Sequence, residues 1–278
     1  MIKRAIFVTG ASSGIGRATV ERLAADGFAV VAGVRRDADA PAAAAAHVLI
    51  DLAEPESVVS AAKDLLEQTD DTLAGLVNNA GINVNGPFEA LPIDEWRRQF
   101  EVNLFGQLSL TRELLPALLS SRGRVITVGS VGGRYSAPFL GPYSASKFAV
   151  RAWMDALRHE VDPHGVKAVL IEPGAIDTPI WKKGNAHADA ILDGLSIEQK
   201  SRYAGQVAGA RKLAAMAERN AIPPAKVADV IAKALTTPRP RGRYLVGTDA
   251  KAQAVIAAAP TRVSDWVTRR LLRAPKQT

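Results

Sequence analysis

Runs of consecutive apolar residues rich in Val and Ile alternate along this chain with longer stretches in which apolar positions recur every three or four residues. "AIFVTG" opens the series almost at the N-terminus. A helical stretch follows to Gly27, and "FAVVAGV" and "HVLID" then read as the second and third strands. From about Pro55, the residues Val58, Val59, Ala62, Leu65 and Leu66 keep helical spacing. "LAGLVNNAG" is the fourth strand, and Asp94 is expected to cap a long helical region reaching residue 121. "RVITVGS" is the fifth strand, a helix over 144–161 leads to the sixth, "VKAVLIEPG", and "RYLVG" supplies a last one after the helix "PAKVADVIAKAL". Strands that are apolar throughout, separated by helices, predict a parallel sheet covered on both faces, a doubly wound α/β fold of about seven strands.

Residues 180–220 break the rhythm. They are helical by composition, carry Gly184, Gly194, Gly205 and Gly209 as expected flexible points, and follow a strand end where open sheets bind ligands, so the segment reads as a lid. With no linker and no repeat, the chain 1–278 reads as a single domain with this lid and a tail over 250–278. In the tail, Val263, Trp266, Val267 and Leu271 fall at helical spacing with Arg262, Arg269 and Arg273 towards other faces. The preferred reading docks this stripe on the protein itself; the alternative is an interfacial helix in peripheral contact with an anionic membrane.

Composition narrows the chemistry. Across 278 residues there is no cysteine, which removes disulfides, thiolate metal sites and a cysteine nucleophile together and is compatible with a cytoplasmic location. His47, His159, His164 and His187 lack the spacing of a helical metal site, so no metal is expected. No apolar run is long enough to span a membrane, and the basic start "MIKR" precedes too short an apolar run for a secretory signal. Of the net charge of +7, the tail supplies +5 through Lys251, Arg262, Arg269, Arg270, Arg273 and Lys276 against Asp265. The body is nearly balanced, and no nucleic-acid partner is expected.

"TGASSGIG" places Gly10, Gly14 and Gly16, with Ser12, Ser13 and Ile15 between them, where the first strand turns into the first helix. Glycine lets the backbone turn sharply and approach a pyrophosphate, whose charge the helix N-terminus favours. The second strand ends in "AGVRRD", with Val34 where an acid would bind a ribose 2'-hydroxyl and Arg35 and Arg36 following. Arginine there accommodates a 2'-phosphate, so NADP(H) is favoured over NAD(H). Further along, "YSASK" sets the phenol of Tyr143 and the amine of Lys147 one helical turn apart.

With "TGASSGIG", Asp51, "NNAG" at 78–81, "EVNLFG" around Asn103, Ser130, "YSASK" and "EPG" at 172–174 in this order, the sequence over about residues 4–180 resembles the short-chain dehydrogenase/reductase family. The resemblance implies a Rossmann-like fold and a catalytic set of Asn103, Ser130, Tyr143 and Lys147. In it, Tyr143 exchanges a proton with the substrate oxygen, and a cationic Lys147 lowers the tyrosine pKa and bonds the nicotinamide ribose. Ser130 bonds the substrate oxygen, and Asn103 interrupts a helix and holds a water in a relay to the lysine. It also implies that Asp51 and Leu52 lie near the adenine, that Asn79, Ala80 and Gly81 run along the adenosine, and that Pro173, Ile176 and Thr178 shape the carboxamide pocket. One departure is Ser13, where many NADP-dependent relatives carry a basic residue, which leaves Arg35 as the main phosphate contact, aided by Arg36, Ser12 and Ser13.

The expected activity is therefore NADP(H)-dependent interconversion of a ketone or aldehyde with an alcohol. "AGVRR", "IEPG" and the long lid resemble the steroid, retinol and hydroxybutyrate dehydrogenase branch, which implies a hydrophobic small-molecule substrate. The alternatives are a 3-oxoacyl-thioester reductase and a non-catalytic NADP(H)-binding regulatory protein. A homodimer or homotetramer through the helices at about 94–121 and 144–161 is expected from the same resemblance.

Overall fold

The computed structural model describes residues 4–272. Seven strands form one parallel sheet: β1 (Ala5–Thr9), β2 (Val30–Val34), β3 (Ala46–Leu49), β4 (Leu73–Asn78), β5 (Arg124–Val128), β6 (Lys167–Pro173) and β7 (Arg243–Val246). Their order is β3-β2-β1-β4-β5-β6-β7. The chain winds outward from β1 to β3, then returns to β1's other edge and winds the opposite way, so β1 and β4 flank the switch point where open sheets hold ligands. Phe7 pairs with Val31 on one side and Leu76 on the other.

All five residues of β1 are buried, which is why the strand reads as an unbroken apolar run. Ala5 and Phe7 face one layer, made by α2 (Pro55–Thr69), α4 (Gly106–Ser121) and α5 (Gly141–Val161). Ile6 and Val8 face the other, made by α1 (Gly14–Ala25) and α8 (Pro224–Thr236). The parallel sheet covered on both faces is thus present as the pattern predicted, and it is doubly wound in the Rossmann-like manner the resemblance implied.

Several details differ from the pattern. α3 (Ile93–Phe100) is capped by Pro92, and Asp94 lies in its first turn, where its charge suits the helix dipole and pairs with Arg97. The long helix breaks into α3 and α4 at a π-helical turn, Glu101–Phe105. The lid is two helices, α6 (Pro179–Asp193) and α7 (Ile197–Arg219), joined at Gly194. Gly184 and Gly209 are close-packing points rather than flexible ones: Asn83 presses on the first, and the Leu272 carbonyl on the second.

The tail holds α9 (Thr248–Ala258) and α10 (Thr261–Leu272). α10 lies against α7 at Gly209, and the hydroxyls of Thr268 and Tyr135 hydrogen-bond. The face used is that of Thr268 and Leu272, not the stripe the pattern suggested: Val263, Trp266 and Leu271 remain 48%, 60% and 42% exposed. Arg270 instead lies 5.6 Å from the Trp266 ring centroid. Arg273 and Lys276 lie outside the described residues. Among the described residues, no helix is long and apolar enough to cross a membrane.

Candidate active site

The turn after β1 has the backbone its glycines allow. Gly10 and Gly14 adopt φ of 64° and 55°, in the left-handed region that favours glycine, and a Cβ at Gly16 would run into the Gly10 carbonyl. Ser13 stands at the N-cap of α1 in extended conformation, yet its side chain makes no capping bond. The first-turn amides of α1 thus lack a side-chain acceptor, which suits an anionic oxygen. Arg17 clamps the turn by donating to the Ser12 carbonyl (3.1 Å). Thr178 packs its methyl against Gly14 from the end of β6; it is the N-cap of α6 by position but makes no capping bond.

At the end of β2, Arg36 forks onto Asp39 at 2.8 and 3.1 Å. That hydrogen bond is the main reason the Asp39 carboxyl is held below its ordinary range, and Arg35 and Arg17 add to it through their charge. Arg36 is thus already engaged, whereas Arg35 is exposed and makes no ion pair among the described residues. Arg17, not read from the sequence as part of the site, belongs to this cluster; its position one residue after Gly16 was the available signal.

Across the switch point, Thr9 Oγ1 accepts from the amides of Asn79 (3.0 Å) and Ala80 (3.1 Å), and Asn79 Nδ2 donates to the Thr9 carbonyl (2.8 Å). These bonds hold Asn79, Ala80 and Gly81 beside the glycine turn. Asp51 Oδ1 accepts from the Ala53 amide (3.0 Å), which fixes the turn after β3 with Leu52 buried beneath it. Pro173 is buried, and Ile176 is a core residue bridging to Ile222.

Asn103 sits in the π-helical turn, fully buried. Its Oδ1 accepts from the Ile82 amide (2.8 Å), and its Nδ2 donates to the Ile82 carbonyl (3.1 Å) and to Ser146 Oγ (3.3 Å). Ser146 donates in turn to the Tyr143 carbonyl (2.7 Å), so Asn103 is wired to the first turn of α5. Ser130 follows β5, and its Oγ accepts from the Gly132 amide (3.0 Å). A Cβ at Gly132 would sit between Tyr143 and Ser130, at 3.2 and 3.3 Å, so glycine is what lets the two hydroxyl-bearing residues close up.

Tyr143 and Lys147 lie on one face of α5, with Lys147 Nζ 6.0 Å from the Tyr143 ring centroid and donating to the Val128 carbonyl at 3.0 Å. The net shift of the Tyr143 phenol is set by burial. Burial raises the Tyr143 phenol above its ordinary value, and a hydrogen bond from Ser130 only partly opposes this. Burial also lowers Lys147, to about 8.

Two supports of this site were not read from the sequence. Glu172, fully buried in β6, is forked by Arg134 at 2.7 and 2.5 Å, tying the Ser130 loop to the end of β6. Asp249 Oδ2 accepts from the Ala175 amide (2.6 Å) and pins the turn after "EPG". Over the site lies the lid, with the Trp181 ring centroid 6.1 Å from that of Tyr143. Among the described residues there is no cluster of groups able to hold a metal ion.

A family model described as short chain dehydrogenase matches residues 4–189. An NADPH-dependent 3-dehydrocapnine reductase of Ornithobacterium rhinotracheale is 37% identical over 87% of this chain and 88% of that protein. Retinol dehydrogenase 5 of Mus musculus is 34% identical over 98% of this chain and 90% of that one. A crystal structure of a short chain dehydrogenase from Burkholderia cenocepacia in complex with NADP is 27% identical with a TM-score of 0.74, covering 98% of this chain and 99% of that chain.

Proposed function

The chain belongs to the short-chain dehydrogenase/reductase family, oxidoreductases acting on CH–OH groups, and from that premise we propose that it interconverts a ketone or aldehyde with an alcohol using NADP(H), with Asn103, Ser130, Tyr143 and Lys147 as its catalytic set. The observation that carries this reading is the convergence of a buried, neutral phenol, a serine hydroxyl and a lysine at the sheet's switch point beside a glycine turn open to a pyrophosphate.

The amides at the start of α1, Asn79 to Gly81 and Lys147 would hold the dinucleotide. When bound, its nicotinamide supplies or accepts the hydride at the substrate carbon. Tyr143, kept protonated by burial, donates its phenolic proton to the carbonyl oxygen in reduction and recovers it in oxidation. Ser130 bonds the same oxygen as negative charge develops on it. Lys147 stands ready to restore the tyrosine proton, and Asn103 fixes the α5 turn through Ser146. Trp181 and the lid exclude water above Tyr143.

Preference for NADP(H) is supported by the unpaired Arg35 beside Arg17 and by the NADPH-dependent relative. A hydrophobic substrate is supported by Trp181, Phe139 and Tyr203 at the lid, the last two in edge contact. We further propose a homo-oligomer through α4 and α5, supported by Phe105, 53% exposed at the start of α4.

A panel of ketones, aldehydes, 3-oxoacyl thioesters and secondary alcohols, followed by nicotinamide absorbance with both cofactors, tests the reading. Carbonyl-dependent NADPH oxidation is expected. In the Arg35→Ala variant, NADPH binding should weaken by about tenfold or more, the loss of one charge-assisted hydrogen bond, with NADH binding little changed. Equal weakening of both cofactors, or a wild-type preference for NADH, contradicts the NADP(H) assignment.

A further inference from the structure

The lid helix α6 lies along residues 82–95 in a regular stripe. Trp181 covers Tyr143, Gly184 is packed on Asn83, His187 reaches Glu95 (3.1 Å), and Ile191 approaches Gly86. Spacings of three, three and four are one face of a helix. The covered strip of chain is fastened from behind by two buried amides. Asn103 holds both backbone groups of Ile82, and Gln99 accepts from the Val84 amide (2.7 Å) while donating to the Ile82 carbonyl (3.0 Å). Both backbone groups of Ile82 and the amide of Val84 are thus bonded, and the side chain between these anchors is not.

Asn83 is 6% exposed, and neither its Oδ1 nor its Nδ2 has a hydrogen-bond partner among the described residues; Oδ1 of Asn85, 8% exposed, has none either. A buried amide left unpaired costs about 1–3 kcal/mol, so packing alone favours an apolar side chain at this place. The unpaired amide lies under the lid at Gly184, three residues, about 4.5 Å along the helix axis, from the Trp181 that covers the catalytic phenol.

We propose that Asn83 binds a second, neutral hydrogen-bonding group of the substrate, a hydroxyl or a further carbonyl, set apart from the reacting carbonyl along the lid helix. The inference rests on the carbonyl-reductase reading above and narrows it. The substrate is an apolar skeleton bearing two oxygens, engaged when α6 lifts Gly184 from the amide. An amide offers both a donor and an acceptor and no charge, so it serves a hydroxyketone or diketone equally. A plain hydrocarbon ketone leaves it unpaired.

The test compares 4-hydroxycyclohexanone with 4-methylcyclohexanone, rings of similar shape with and without a hydroxyl opposite the carbonyl, in the wild type, Asn83→Ala and Asn83→Leu, with NADPH. The wild type should prefer the hydroxyketone in kcat/KM by about tenfold or more, the worth of one well-made hydrogen bond, and both variants should lose that preference. Their melting temperatures should equal or exceed that of the wild type, because no native bond is removed. A wild type that reduces apolar ketones of the panel but gives the hydroxyketone no advantage contradicts the role of Asn83 alone. So does a preference that survives in the variants, or a clear fall in melting temperature, which would mark Asn83 as structural. Failure to reduce any carbonyl compound contradicts the oxidoreductase reading itself, and this inference with it.

Discussion

Tyr143 and Lys147 are both pushed by burial towards their neutral forms, and the lysine carries a stability consequence with a definite sign. Its folded-state pKa of about 8 lies below the ordinary value of about 10.4. Between those two values the unfolded chain holds the proton and the folded chain has lost it, so the burial penalty is complete below pH 8 and fades as pH rises towards 10. Lys147→Met should therefore stabilise the protein near neutrality by on the order of 3 kcal/mol, less whatever the unpaired Val128 carbonyl costs, while abolishing turnover. Denaturant unfolding at pH 7 and pH 10 checks this: the advantage should shrink at the higher pH, and an advantage independent of pH would show that the ammonium is not penalised. At the same scale, the neighbours Arg35 and Arg36 differ in use, because Arg36 is already spent on Asp39.

Among the elements, the lid and tail meet their neighbours through close approaches at Gly184 and Gly209 and through polar contacts such as Arg202 on Glu89 (3.0 Å). Gly209 lets α10 come to van der Waals distance of α7, and Thr268 bonds Tyr135 in the loop that follows Ser130. Deleting the residues after Pro260 should lower the melting temperature by several degrees, since a loss of 1 kcal/mol shifts a chain of this size by about 2–4 °C. Flotation with anionic and neutral vesicles decides what the exposed Trp266 face does. If binding to anionic vesicles is lost on deletion, the interfacial reading of the tail stands; if the melting temperature falls and no flotation occurs, docking is its whole role. The strands and the order of the candidate site residues are legible in the sequence, because continuous apolar runs and fixed offsets such as Tyr143 to Lys147 are local signals. The partners of Glu172 and Arg36 and the packing of Gly184 on Asn83 are not, because each is decided by chain tens of residues away or by which side chain reaches it first. Gly184 and Gly209 look like flexible points in a helical segment for the same reason: the atoms that require glycine there belong to other elements.

For the whole molecule, a parallel sheet that reverses its winding between β1 and β4 brings the glycine turn, the Thr9–Asn79 stitch and the Ser130–Tyr143–Lys147 group to one edge of the fold. A phenylalanine left exposed at the start of α4 belongs to the assembly proposed for it, so Phe105→Glu should convert the oligomer to monomer in sedimentation velocity; an unchanged assembly would place the interface elsewhere. The account stands on Tyr143 as the proton donor in carbonyl reduction, and the most direct measurement is the rate of carbonyl-dependent NADPH oxidation by Tyr143→Phe beside the wild type, with NADPH binding titrated by fluorescence in both. The account predicts a rate lower by about 100-fold to 10,000-fold with NADPH affinity preserved. A folded Tyr143→Phe protein that keeps a near-normal rate would contradict it.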